Sequence, residues 1–439
     1  MTIARRARYL LLVARELTKK YTFPLAVGFL LGVVGIVGIK QLLPRMSNRV
    51  ARDVIRVGLV GEVTPATIPL EIQSLISVGL TTLALDGAPM PALATSWKTT
   101  DNDTVYEFTI RNDSRWHSGK PVTSADINYN IRNVSFDVVS AQTLRAKLLE
   151  PFSPFLTLVA KPILQTGLKG FGPYRVASIR LKGESVQYLR LEAVDTNDLP
   201  AREYRFYHTE VAALNAFALG DIDTIEDLSN EGSLSTWQNV EITPRTRYNR
   251  VVAIYFNTKE PILRERGVRQ ALGYAVPDLP FERAFSPIAK TSWAYSDAVK
   301  KYSYDATQAK KLLQLQGVSS TSAGLTITTF APYVDVAQKI ASSWTSLGVP
   351  TSVQVVNAIS QFQVLLSAQT IPPDPDQYPL WHSTQSSTNL TGYVNVKIDK
   401  LLEDGRKELD PATRKNIYVD FAKRLVEDAP AVFLYYPTT

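Results

Sequence analysis

The chain contains no cysteine. That excludes disulfides, thiolate metal sites, a cysteine nucleophile and a lipid-modified cysteine anchor. It has three histidines, His117, His208 and His382, far apart in sequence, so a histidine-built metal centre is not expected. No G-x-S-x-G elbow, H-E-x-x-H helix or G-x-G-x-x-G loop is present. The one glycine-rich run, Gly170-Phe171-Gly172-Pro173-Tyr174, reads as a tight turn feeding a strand, because Pro173 removes a donor that a phosphate would need. No catalytic constellation emerges, and neither enzyme activity nor a cofactor is expected.

The positive charge is not spread over the chain. The formal net charge is +7, yet residues 1–49 carry nine Lys/Arg against one acid, a surplus of eight. The remaining residues are therefore nearly neutral, which argues against a nucleic-acid partner. At 45% apolar and 20% charged residues the chain is globular, and 439 residues exceed one ordinary core.

The one long apolar run is Phe23 to Ile39, uncharged and 17 residues long. It reads as an uncleaved transmembrane helix, at the short limit for spanning a bilayer. Arg5, Arg6, Arg8, Arg15, Lys19 and Lys20 precede it. The positive-inside rule then leaves a cytoplasmic basic tail and puts the main domain outside the cell, held by a single pass through residues 23–39.

Beyond residue 50 the pattern alternates short strands with helices. Thr104 to Arg111 alternates apolar and polar residues as a half-buried strand does. Thr123 with Asp126 three residues on forms a capping box that opens a helix. Glu203 to Ile225 reads strand, helix, strand, an α/β unit with a parallel pair. Asn249 to Asn257 is a strong strand. After it, a helix is expected over 263–275 with Arg264, Arg266 and Arg269 on a solvated face. Further helices are expected over 305–317, 334–347 and 359–368, with strands over 325–330 and 353–356. Ile371 to Ser387 is a polar and aromatic loop, followed by helices over 396–408 and 411–427 and a strand over 430–436.

The run PALATSW, followed by YEFTIR, RWHSGKP and TSAD, resembles the extracellular solute-binding proteins of family 5, the peptide, oligopeptide and nickel-binding type that serves ABC importers. PFSPF, GFGPYRV, ALGDID, YFNT, GVRQALGYAV, DPDQYPLWHS and AVFLYYP follow in that family's order and cover nearly all of residues 53–437. The resemblance implies a two-lobed, periplasmic-binding-protein-like (type II) α/β fold that closes on a ligand. It implies one lobe from residues 50–254 plus the strand at 431–439, and a second from 255–430. It also implies a short peptide or other small solute as ligand, with a permease and an ATPase as partners.

On that resemblance the candidate ligand contacts are Asp374, Asp376, Tyr378, Trp381 and His382 on one loop, Tyr255 and Asn257 at a strand end, and Trp293 and Tyr295. His117 reads as a packed loop residue. Three departures from the family are expected to matter. The apolar span replaces a lipidated cysteine. The chain stops at Thr439, some tens of residues before its relatives do. Ile371 stands where peptide-binding members place the aspartate that takes a peptide's amino terminus, so Asp374 or Asp376 would have to take that role over. A second reading keeps the fold without transport, as a surface sensor or scaffold.

Overall fold

The computed structural model describes residues 54–195, 199–228, 231–318 and 324–439. The expected basic tail and the expected membrane span at 23–39 lie outside the described residues. Among the described residues no helix is long and apolar enough to cross a membrane.

The first lobe contains two main sheets. In spatial order the five-stranded sheet runs Thr224–Glu226, Val54–Val60, Ala201–Tyr207, Ser185–Ala193 and Tyr174–Lys182. Val54–Val60 pairs in parallel with both of its neighbours. The strand–helix–strand run thus delivers two parallel strands that flank the first strand. Between them lies the helix Glu210–Ala218, whose amide at Ala212 is capped by the Thr209 hydroxyl at 3.2 Å. The second sheet is antiparallel, in the order Ala94–Thr100, Val105–Ile110, Thr143–Leu148, Val134–Ser140. Tyr106, Phe108 and Ile110 alternate into its core beside Phe155 and Trp116.

The capping box forms as read: the Thr123 amide donates to Asp126 Oδ2 at 2.8 Å. The helix does not continue. It is a single 3₁₀ turn, Ser124–Asp126. The asparagines that follow compete for the backbone. Asn128 Oδ1 accepts from the Asn130 amide at 2.9 Å, and Asn130 and Asn133 take φ of +48° and +62°.

The Gly170–Tyr174 turn joins the two sheets. The Gly172 amide donates to the Ile76 carbonyl at the end of helix Leu70–Ile76. A Cβ on Gly170 would sit 2.1 Å from that oxygen. Phe171 meets Trp116 edge to face at 5.3 Å. The His117 amide donates to Gly170 O at 2.9 Å, and its Nε2 lies 3.1 Å from Gly172 O. His117 is therefore a packed joint residue.

The second lobe is built on one mixed sheet in the order Thr351–Val355, Leu325–Thr329, Val364–Thr370, Arg250–Phe256, Ala431–Tyr435. The last three strands carry much of the core. The expected helix over 359–368 is replaced by the strand Val364–Thr370. Its Val-Leu-Leu start is too short to choose a period by itself. Pairing on both sides, parallel to Leu325–Thr329 and antiparallel to Arg250–Phe256, decides for strand. The pairing also places Arg250–Phe256 and Ala431–Tyr435 together in this sheet, whereas residues 250–254 and 431–439 were expected with the first lobe.

The helices Ala306–Leu315 and Pro411–Asp428 begin at Asp305 and Asp410, each capping a backbone amide at 2.8 Å. Arg269 does not lie on a solvated face. It is buried, and its guanidinium donates to the carbonyls of Leu263, Arg264, Asp428 and Ala429. Those carbonyls end the helices Pro261–Arg264 and Pro411–Asp428, where no intrahelical partner remains.

Candidate functional site

The loop after strand Val364–Thr370 folds on its own aspartates. Asp374 Oδ1 accepts from the Asp376 amide at 2.9 Å, and Asp376 Oδ1 from the Tyr378 amide at 3.0 Å. These two Asx turns feed the short helix Tyr378–Trp381. Each carboxylate then meets an arginine from a helix behind the loop. Arg414 in helix Pro411–Asp428 takes both oxygens of Asp374, at 2.6 and 2.9 Å. Arg406, in the last turn of helix Val396–Lys407, donates to Asp376 Oδ2 at 2.9 Å.

Aromatic rings frame these pairs. The Arg406 guanidinium lies 3.9 Å from the Tyr378 ring centre, and Arg414 lies 5.6 Å from that of Trp293. Tyr378 stacks on His382 at 4.0 Å. His382 is buried, with Nδ1 2.8 Å from Thr384 Oγ1 and Nε2 3.4 Å from Glu403. Burial lifts the Asp376 carboxyl above its ordinary pKa, while Arg406 pulls it back.

The first lobe touches this cluster directly. The Ser153 amide and hydroxyl donate to the carbonyls of Arg406 and Gly405, at 2.7 and 3.0 Å. They satisfy acceptors that the end of helix Val396–Lys407 leaves open. Thr157 Oγ1 donates to Asp374 at 3.5 Å, and Lys407 faces Glu150 at 3.6 Å. The Trp293 amide donates to Asp86 O at 3.0 Å.

The nine expected contacts fall into four places. Asp374, Asp376, Tyr378, His382 and Trp293 gather around the two arginines. Trp381 and Tyr255 stack on each other behind them in the core, and the Tyr255 hydroxyl is bound to Gln369 at 2.7 Å. Tyr295 is half-buried and donates to Asp297 at 2.9 Å. Burial first, then Asp297, pushes its phenol up to about 12, so it stays a neutral donor.

Asn257 is elsewhere. It follows strand Arg250–Phe256 at the end away from Ile371, roughly 20 Å along the strand. There it lines an open cleft of about 860 Å³ with Thr326, Thr328, Gln354 and Ser383. Ile371 itself is buried, with its amide on Asn249 O.

Arg406, Arg414 and Ser153 were not among the expected residues. A signal for Arg414 is present in the sequence. It shares one helix stripe with Tyr418, Phe421 and Leu425, all buried.

Comparison with known proteins agrees with this architecture. Residues 88–390 match the family model described as bacterial extracellular solute-binding proteins, family 5 middle. The chain is 22% identical over 427 residues to the oligopeptide-binding protein AppA of Bacillus subtilis, covering 79% of this chain and 78% of that one. It is also 22% identical over 418 residues to the probable D,D-dipeptide-binding periplasmic protein DdpA of Escherichia coli, covering 78% of each. Among solved structures, NikZ of Campylobacter jejuni in complex with Ni(L-His) superposes with a TM-score of 0.71 at 23% identity, over 88% of this chain and 93% of that one. The substrate-binding protein CtaP of Listeria monocytogenes gives 0.75 at 21%, over 88% and 92%. Proteins of this kind bind solutes and are not enzymes. With a family match over more than half its length and the two-lobed fold to accompany it, the chain belongs to the bacterial extracellular solute-binding proteins of family 5.

Proposed function

We propose that this protein captures a short peptide, or a solute of similar chemistry, between its two lobes and passes it to an ABC permease and ATPase. The observation that carries the reading is the junction itself. First-lobe residues Asp86, Ser153 and Thr157 bond to Trp293, Arg406 and Asp374 of the second lobe. A binding protein needs such a set of small, separable contacts at a closing face. The names of relatives, oligopeptide-binding and dipeptide-binding, support a peptide.

Within this reading the half-buried Tyr378, Trp293 and Tyr295 face the solute. Asp374, Asp376, Trp381, His382 and Tyr255 hold the wall behind them, and Asn257 serves the separate cleft. The lobes divide just before Arg250, because strands 250–256 and 431–435 share one sheet. Residues 23–39 anchor the chain in the membrane with its N-terminus in the cytoplasm.

The test is mass spectrometry of what co-purifies with the full chain in detergent, followed by calorimetry of that compound. A peptide bound with a defined stoichiometry is expected. Failure to find or bind any peptide would end the peptide reading. Release of the protein from membranes by salt or carbonate would end the anchor.

A further inference from the structure

The acids of the second-lobe wall are already taken. Asp374 is held by Arg414 and Asp376 by Arg406, and the first-lobe Glu150 faces Lys407. A cationic group of a solute could use Asp374 or Asp376 only by displacing an arginine, and Glu150 only in competition with the exposed Lys407. Asp86 differs. Among the described residues no cation stands within ion-pair distance of it, and its Oδ1 accepts only the amide of Ala88, at 3.0 Å.

Asp86 sits on a tight turn of the first lobe. The Ala84 amide donates to Ala88 O at 2.8 Å, and the Gly87 amide to Ala84 O at 2.9 Å. The turn is wedged against the second lobe on two sides. Asp86 O receives the Trp293 amide. Gly87, at φ +84°, lies so close that an added Cβ would be 2.5 Å from Pro373 O. Its tip, Leu85, is fully exposed. A rigid turn at the lobe junction thus carries one uncompensated carboxylate beside one uncovered apolar side chain, and its backbone is bonded to that of Trp293.

We infer that the turn Ala84–Ala88 is a solute contact of the first lobe, with Asp86 receiving the free amino terminus of the peptide and Leu85 covering an adjacent apolar side chain. This rests on the peptide reading above. Asp86 stays exposed although its turn already touches the second lobe, so it is the bound peptide that covers the carboxylate, and a charge-assisted hydrogen bond there is stronger than a neutral one.

The test uses the full chain in detergent with a pool of short peptides bearing free amino termini and the same pool N-acetylated. Captured peptides are counted by mass spectrometry. Wild type is expected to prefer the free pool by about tenfold, worth about 1.4 kcal/mol. Asp86→Asn is expected to abolish that preference while still retaining acetylated peptides. The asparagine keeps the Asx acceptor, so the turn is preserved. Leu85→Ser is expected to lower retention of both pools. A preference that survives Asp86→Asn overturns the inference, as does a wild type with no preference, although peptide binding then stands. Retention of neither pool overturns the peptide reading and this inference with it.

Discussion

Arg414 closes both its terminal nitrogens on the carboxylate of Asp374, and both side chains are nine-tenths or more buried. Arg414 also donates from Nε to Gly405 O at 2.8 Å, so the pair fastens loop 371–387 to two helices at once. Bidentate geometry fixes the loop as a point charge would not. Removing one partner leaves the other charge buried and alone. Arg414→Met is expected to cost about 3–5 kcal/mol in chemical denaturation. Adding Asp374→Leu to that variant is expected to return a good part of the loss, because two apolar groups carry no unpaired charge. A single variant as stable as wild type would show that the pair contributes nothing.

Asp376 gives the pH dependence. Its carboxyl is raised in the folded state, by burial first. The folded protein therefore holds this proton to a higher pH than the unfolded chain does. Stability from this group is present below the unfolded carboxyl pKa of about 4 and declines as pH rises through the folded value. Asp223 and Glu282, lowered first by hydrogen bonds from Arg56 and Lys290, act in the opposite sense and lose stability as pH falls. The difference between wild type and Asp376→Asn isolates the first effect. The variant is expected to gain on wild type as pH is raised from about 4 to neutrality in urea titrations. A constant difference across that range would exclude it.

Much of the fold was legible because local rules and tertiary structure agree. Asp305 and Asp410 announced helix starts, and the alternation in YEFTIR marked an inward face of Tyr106, Phe108 and Ile110. The strand Val364–Thr370 was not legible, since its conformation is set by the strands on either side. The site was half legible. Composition drew attention to the loop from Ile371 to Ser387, but the guanidiniums that neutralise its aspartates come from residues 30 and 40 positions away. No local pattern joins Asp374 to Arg414. The helix stripe that buries Arg414 shows only that its charge needs a partner somewhere.

Arg269 is a structural counterpart to these arginines. Its guanidinium ends two helices by filling four carbonyl acceptors that neither helix can satisfy itself. Arg269→Lys keeps the charge but has no planar fork to reach both helix ends. It is expected to lose about 2–3 kcal/mol, and Arg269→Met more, because the carbonyls stay buried. Thermal or urea unfolding checks the order. Equal stability of the lysine variant would mean that charge alone suffices.

The glycine turn at residues 170–174 allows a sharper comparison. A Cβ on Gly170 would meet the Ile76 carbonyl oxygen at 2.1 Å, and on Gly172 the Ile76 carbonyl carbon at 2.7 Å, both rigid backbone. A Cβ on Gly405 would meet the Tyr418 ring at 2.8 Å, a side chain, although one that is itself buried. Neither Gly170 nor Gly172 has a positive φ, so any cost of alanine is steric and not conformational. Gly170→Ala must push helix Leu70–Ile76 away from the turn. That also pulls on Trp116 and His117, which hold the same turn from the loop after strand Val105–Ile110. Gly170→Ala is expected to cost about 3 kcal/mol or more, above the usual 1–3 kcal/mol of overpacking, and Gly405→Ala to fall within that usual range. Hydrogen exchange should show the Gly172 amide losing protection in Gly170→Ala and keeping it in Gly405→Ala. Unchanged exchange in both would mean that the joint between the two first-lobe sheets does not depend on this close approach.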